Sequence, residues 1–576
     1  MSNDEIALAP TPAPDAEPPK KFDTLSRRSF LATFGAAVLG SAAPDIGSAV
    51  LNQLREATRR KVPGELLGPS HRAGHLLRDP GYIPPAATRH SEVELLIIGG
   101  GASGIAAAWR LSKRGFKHFR LLELEPETGG NSRAGTNRHG IRNPWGAHYL
   151  PLPGRDSHYV RELLEEAGAI RGYQDGLPLY DETLLCRDPD ERLFIHGRWQ
   201  EGLIPELGIP QAERTEIRRF LAEMESFRNL VGKDGKPAFT LPMHLSSQDP
   251  ALLALDRMSF LEWLGGRGYH APSLLWYLNY GTRDDYGTRI EEVSAWAGIH
   301  YFAGRKGLAA NAESDDVLTW PEGNDWLIQQ MLRKIPSGAI ETGKLVLHIT
   351  REQDDGSRGV DVLDLETHAV EHIQARGVIF AAPQFAAARV LEDLKGTPPH
   401  PGTYAPWAVA AVSLARSPDQ KGLLAESHWD SVPFGGASLG YISNRHQEPG
   451  LRSAREPDSI TWYRPLDHLP PREARRWAQE RSHEEWSEEI LTDLARMHPG
   501  VRNDVERIDI WIWGHAMMRP VKGLLWSTEQ RDLRTPRGAR QSLMFAHSDV
   551  SGLSLFEEAQ AAGVIAADHF LTRGGI

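Results

Sequence analysis

One cysteine, Cys186, stands in a chain of 576 residues. A single thiol excludes an internal disulfide and every cysteine-rich metal or iron–sulfur site. Its default role is that of a small buried apolar residue. The chain also lacks a concentration of positive charge. Its net charge of −11 comes from interspersed acids and bases, which argues against nucleic acid as a partner, because neutralising phosphates takes a clustered basic surface. Internal repeats and coiled-coil heptads are missing, and low-complexity sequence is absent after residue 20. What the chain does have is bulk. Hydrophobic residues make up 40% and tryptophans number 16, enough for a large core, and the length predicts two sequential or interleaved domains.

The N-terminus reads as an address. Residues 1–25 are rich in Pro, Ala and charge without apolar periodicity, the composition of a disordered segment. Ser26-Arg27-Arg28-Ser29-Phe30-Leu31 follows, then the apolar run Ala32–Leu39 and the small residues Gly40-Ser41-Ala42-Ala43. The pattern resembles a twin-arginine signal, and the run is too short for a comfortable membrane span. It implies an exported protein of the bacterial periplasm whose partner in transit is the twin-arginine machinery. The bland alternative is an amphipathic surface helix with accidental arginines. Residues 44–89 form an N-terminal extension, with a helix expected over Ile46–Arg60. His71 and His75 have helical metal-ligand spacing, but Gly and Pro neighbours predict a loop and no third ligand suggests itself, so no metal is expected.

Val93-Glu-Leu-Leu-Ile-Ile98 is a continuous run of β-formers, the mark of a parallel strand buried on both faces. Gly99, Gly101 and Gly104 complete G-x-G-x-x-G at once, with Ala102 and Ser103 between them, and a helix-forming stretch Ile105–Arg114 comes next. The first glycine permits the turn, the second lets a pyrophosphate reach the backbone, and the third lets helix and strand pack closely. A second strand, His118–Leu124, carries Glu123, placed to accept hydrogen bonds from adenosine ribose hydroxyls. A lone fingerprint is weak, but strand, glycines, helix, strand and acid all occur here in order. NAD and FAD remain undistinguished by it.

The residues that follow carry a resemblance. Glu123-Leu-Glu-Pro-Glu-Thr-Gly129-Gly130 is similar to the stretch in flavin-containing amine oxidases and phytoene-desaturase-type enzymes where ribose acid and diglycine stand six residues apart. Pro144-Trp145-Gly146-Ala147-His148-Tyr149 falls where amine oxidases have a Gly-Gly or Gly-Ala step beside the isoalloxazine ring. The ending Met544–Asp549, Gly552 and Phe556–Phe570 resembles that family's last helix, and Leu318–Ile328 its Pro-x-Gly turn into a helix. The resemblance implies non-covalent FAD on the diglycine loop, Val346 flanking the adenine and Asp549 bonding the ribityl chain. Ala559, Ala562 and Gly563 would pack closely on the first helix. One departure stands out: the Arg that commonly follows the diglycine is Asn131, and Arg133 is the candidate to supply its charge.

The expected fold class is α/β, with a discontinuous Rossmann-like FAD-binding domain (90–155, 315–400 and 505–576) interleaved with an α+β substrate domain (156–314 and 401–504), amine-oxidase-like. The family's usual Lys near flavin N5 is expected around the strand 404–414, which contains none. Three histidines are candidate catalytic residues: His515, at the end of the alternating strand Ile508–Trp513, His300 and His446. A structural role is the competing reading for each. The substrate is expected to be a small molecule. The leading functional reading is oxidation of an amine C–N bond by hydride transfer to FAD. Its alternatives are desaturation or isomerisation of a lipophilic substrate, and a flavin-binding protein without turnover. The sequence leaves the oligomeric state open.

Overall fold

A computed structural model of the chain describes residues 61–573 apart from Gly422. The described residues from Val62 onward form one compact unit. The arginine pair and the expected helix Ile46–Arg60 lie outside the described residues. Among the described residues, no helix is long and apolar enough to cross a membrane.

The fingerprint builds the first sheet as its residues dictate. The strand Ala87–Ile98 carries Leu95, Leu96 and Ile97 with no exposed surface, and it pairs in parallel with Phe119–Leu122 on one side and Val370–Phe380 on the other. Ile340–Glu341 extends one edge, also in parallel. Beyond Val370–Phe380 the short parallel strand Leu543–Phe545 pairs with its second half, while Arg358–Asp364 and Lys344–Ile349 continue antiparallel from its first half. Burial on both faces explains the unbroken apolar runs. The glycine helix Ala102–Lys113 packs against the C-terminal helix Phe556–Arg573. Gly563 makes the approach possible, since a Cβ there would lie 2.1 Å from the Ser103 carbonyl oxygen.

An eight-stranded sheet forms the second layer, in the order Leu66–Leu67, Val505–Met518, Tyr404–Leu414, Asp458–Pro465, Gly440–Ser443, Asp430–Pro433, Glu191–Ile195, Arg198–Glu201. Pro471–Glu480 and His483–Met497 cover one of its faces. The helices Gln211–Arg228, Phe260–Gly266, Pro272–Tyr286 and Ala295–Ala303 pack around a core of their own. Both sheets draw their strands from separated stretches of the chain. One element differs from the expectation: Val505–Met518, expected within the FAD-binding domain, belongs to the second sheet, between Leu66–Leu67 and Tyr404–Leu414. Its alternating pattern marks a strand, and which sheet it joins is decided by its pairing with Tyr404–Leu414. A second difference lies in the extension, where His71–His75 forms a five-residue helix rather than a loop. The preceding residues add an edge strand, Leu66–Leu67, to the second sheet.

Candidate functional site

The carboxyl ends of the parallel strands open on a cavity of about 410 Å³. At its floor Gly99 adopts φ +105°, and a Cβ there would stand 2.8 Å from the Ala381 carbonyl oxygen, so only glycine lets the strand turn this way. Gly101 caps the glycine helix, and the nearest atom to a Cβ built on it would be Gly130 Cα at 4.0 Å. Two stretches of bare backbone thus face one another across open space at a helix N-terminus. Free amides and the helix dipole favour an anionic group there.

Glu123 sits at the end of the second strand, buried, with Oε2 accepting from the Gly100 amide (2.5 Å) and Oε1 from the Glu125 amide (2.8 Å). Burial raises its pKa, the two amides opposing that shift. Gly99, Gly101, Ala102, Ser103, Glu123, Gly129, Gly130, Asn131, Arg133, Ala147, Val346 and Asp549 all line this cavity. Gly104 sits behind it, where a Cβ would strike the Gly99 carbonyl at 1.9 Å. Asp549 has no solvent exposure; its Oδ2 accepts from the Gln384 amide and the Tyr404 hydroxyl, while Oδ1 lies 3.0 Å from His547 Nδ1. Burial alone would raise its pKa, but His547, Tyr404 and the amide outweigh it and hold the carboxyl below its usual range. Arg133 lies over the Trp511 ring at 5.0 Å, and its Nε is buried without a partner. The orphaned Arg133 Nε, the glycine cradle and the acid at the second strand's end fit a dinucleotide cofactor.

A second cavity of about 140 Å³ adjoins the first, and Asn131, Ala147, Trp513, Ala516, Leu555 and Phe556 line both. Gly146 belongs to the second alone, tucked where a Cβ would meet the Asn131 carbonyl at 2.2 Å. Asp284, Asp285 and Glu557 bring three carboxyls to this small space against one guanidinium, Arg305. Arg305 donates to both oxygens of Asp285 (2.6 and 2.7 Å). Asp284 keeps only the Tyr149 hydroxyl, at 3.2 Å. Burial, reinforced by Asp285, raises the Asp284 pKa to about 7, and burial raises Glu557 to about 7. Behind them Asp430 accepts from Tyr280 and Tyr463, its pKa pushed well up by burial and by Glu191 and Asp284. Trp407 and Val409 contribute from the strand where a Lys was expected.

The three candidate histidines part company here. His515 lines the larger cavity, with its ring 4.4 Å from that of Phe385. Burial first, then Arg475, Arg78 and His75, lower its pKa to about 3, which makes it a poor proton acceptor at neutral pH. His300 lines neither cavity: its ring is stacked on Trp296, and Nε2 donates to the Thr240 carbonyl at 2.9 Å. His446 is likewise held away from both, donating from Nε2 to the Pro189 carbonyl at 3.1 Å. Cys186 packs in the aromatic cluster under the second sheet, its thiol pKa raised by burial, and lines neither cavity. Among the described residues, no group of three or more His, Cys, Asp or Glu is arranged to hold a metal ion.

Sequence reasoning missed the acids. The signal was present in Asp284-Asp285, two adjacent carboxyls inside an aromatic helix, and in Glu557 at the start of the last helix. It also missed what the extension does. Ser70 donates from its amide and hydroxyl to the Glu125 carboxylate (2.7 and 3.0 Å), laying residues 69–78 along the larger cavity as a strap.

Residues 97–167 match the family model of the NAD(P)-binding Rossmann-like domain. No curated protein matches the sequence. Among solved structures, a double mutant of putrescine oxidase superposes with a TM-score of 0.60 at 16% identity, covering 84% of this chain and 100% of that one. Cyclohexylamine oxidase from Brevibacterium oxydans gives 0.59 at 17% identity, over 84% and 100%. A fatty acid isomerase from P. acnes, which produces CLA, gives 0.56 at 16%, over 83% and 98%. The chain therefore has an α/β fold with a Rossmann-like dinucleotide-binding domain, and that fold matches amine oxidase structures over 84% of its length.

Proposed function

We propose that the protein is an FAD-dependent oxidase or dehydrogenase of amines, holding FAD non-covalently in the larger cavity and the amine in the smaller. The observation that carries this reading is the surplus of carboxyls in the second cavity. Three acids faced by one arginine, which Asp285 already engages, leave Asp284 and Glu557 without a cationic partner. A buried charge of that kind is tolerated when a cation arrives to pair with it, and a substrate ammonium supplies one. Bound FAD would supply the acceptor for a hydride from the carbon next to nitrogen.

The chain's own residues do the rest. Gly101, Gly129 and Gly130 offer bare backbone to the diphosphate, Glu123 accepts from the ribose, and Asp549 orients the polar chain beyond it. Asp284 receives the ammonium and, with its pKa near neutrality, takes the proton that must leave before the nitrogen lone pair can assist hydride loss. The Tyr149 hydroxyl sits between the two adjacent carboxyls, 3.2 Å from Asp284 and 3.1 Å from Asp285, and can donate to either. Trp407 and Trp513 wall off water and present π faces to a cation. The putrescine and cyclohexylamine oxidases share the fold with their own amine chemistry; the fatty acid isomerase has the same frame with fatty acid chemistry. An anaerobic screen separates these. Bleaching of the oxidised flavin by an amine supports the proposal, whereas conversion of polyenes or unsaturated lipids with no response to amines overturns it.

A further inference from the structure

A third cavity, of about 150 Å³, lies on the far side of the helix Pro272–Tyr286 from the acidic one. The helix divides its charges between them. Arg283 lines the third cavity, while the next two residues, Asp284 and Asp285, line the second. Arg289, Arg464 and His468 line the third cavity as well, and Asp467 is the one carboxylate among its lining residues. Arg283 and Arg289 share that carboxylate, at 2.6 and 3.2 Å. Arg464 pairs with Glu489, which also serves Arg481.

The pairing leaves positive charge over. Three guanidiniums face the space, and their two carboxylates are each divided between two arginines. The Arg464 side chain is 9% exposed, and its Nε is buried with no hydrogen-bond partner. An unmet donor on a buried cation is costly, and the burial that lowers the Arg464 pKa to about 10 is a further sign that its charge is under-compensated. The Ser438 hydroxyl donates to Asp493 and sits at the cavity's edge.

We propose that this cavity is a binding site for a small oxyanion, of the phosphate, sulfate or carboxylate class. Planar guanidinium forks match the paired oxygens of such groups. The space admits an anion of that size but not a nucleotide, and it is separate from both cavities of the proposed reaction.

The test uses the cofactor-loaded protein and inorganic phosphate, with sulfate and acetate in parallel and chloride at matched ionic strength as the control. Phosphate or one of its parallels should raise Tm and give a saturable calorimetric isotherm that chloride does not. Arg289→Gln, at a side chain 43% exposed where folding is safe, should weaken that binding about ten- to hundredfold. Arg464→Met should abolish it. If Arg464→Met fails to fold, Arg289→Gln alone decides. No saturable effect of any oxyanion beyond that of chloride, or wild-type affinity in Arg289→Gln, overturns the proposal.

Discussion

At the scale of single residues, the chemistry turns on how burial sets charge. The Asp284 carboxyl has an ordinary pKa of 3.8 and is raised to about 7 in the folded protein. Below 3.8 both folded and unfolded states hold the proton, and the group is neutral for stability. Between the two values the unfolded chain gives up its proton first, so the cost of folding grows with pH and is fully present above about 7. Asp284→Asn removes that cost. The variant should be more stable than wild type near about pH 8, by on the order of 1–3 kcal/mol once screening by cavity water is allowed for. The advantage should fade as pH falls toward 4, which thermal melts across pH will show. The same variant should lose about 10²–10⁴-fold in flavin reduction by an amine substrate, read by stopped flow. For His515 the sign is opposite, because burial and three cationic neighbours keep the ring neutral down to about 3. His515→Ala should therefore leave the pH profile of flavin reduction unshifted through the neutral range. A displaced profile would make His515 the titrating base after all.

Elements explain what was legible in the sequence and what was not. The turn Gly99–Gly104, the strand Val93–Ile98 and the acid Glu123 are local signals, since each residue's job is set by neighbours within one βαβ unit. All of them meet at one cavity. Asp284 and Glu557 lie far apart along the chain, and only the tertiary fold brings them to one cavity. Nothing within either segment announces it. His300 and His446 stood equally as candidates in the sequence, and backbone carbonyls from distant segments decided their roles. The close contact of the glycine helix with the last helix offers a test of its own. Gly563→Val would drive carbon into the space beside the Ser103 carbonyl and force the two helices apart. The expected cost is about 1–3 kcal/mol or more. Because Phe556 at that helix's start lines both cavities, purified variant should also carry less flavin per chain than wild type, read from its absorbance ratio.

For the whole molecule, the address at the N-terminus makes its own prediction. We propose export through the twin-arginine route, on the strength of Arg27-Arg28 before Phe30-Leu31 and the short apolar run. Replacing both arginines by lysine should leave unprocessed protein in the cytoplasm, seen by fractionation. Undiminished export of that variant would show the pattern to be accidental. Two sheets joined by crossing segments also mean that neither domain is a contiguous piece of chain. Val505–Met518 belongs to the second sheet, while Leu543–Phe545 joins the first.

The strap has a further consequence, one of timing. Just before it in sequence, the carbonyls of Pro63 and Glu65 accept from the Ile508 and Ile510 amides of the strand Val505–Met518, and the Glu65 amide donates to the Asp509 carboxylate across 444 positions of sequence. A segment made early by the ribosome can thus find its seat only after nearly everything else has been made. In the folded protein residues 69–78 lie along the larger cavity, tied down by Ser70 on Glu125. We expect the strap to act as a seal, so that release of a bound cofactor would wait for it to peel. Ser70→Ala combined with Glu125→Gln should speed flavin release into dilute buffer, followed by its fluorescence, while the fold's melting temperature changes little. Release at the wild-type rate would mean that the seal is decorative and the cofactor is held by the cradle alone.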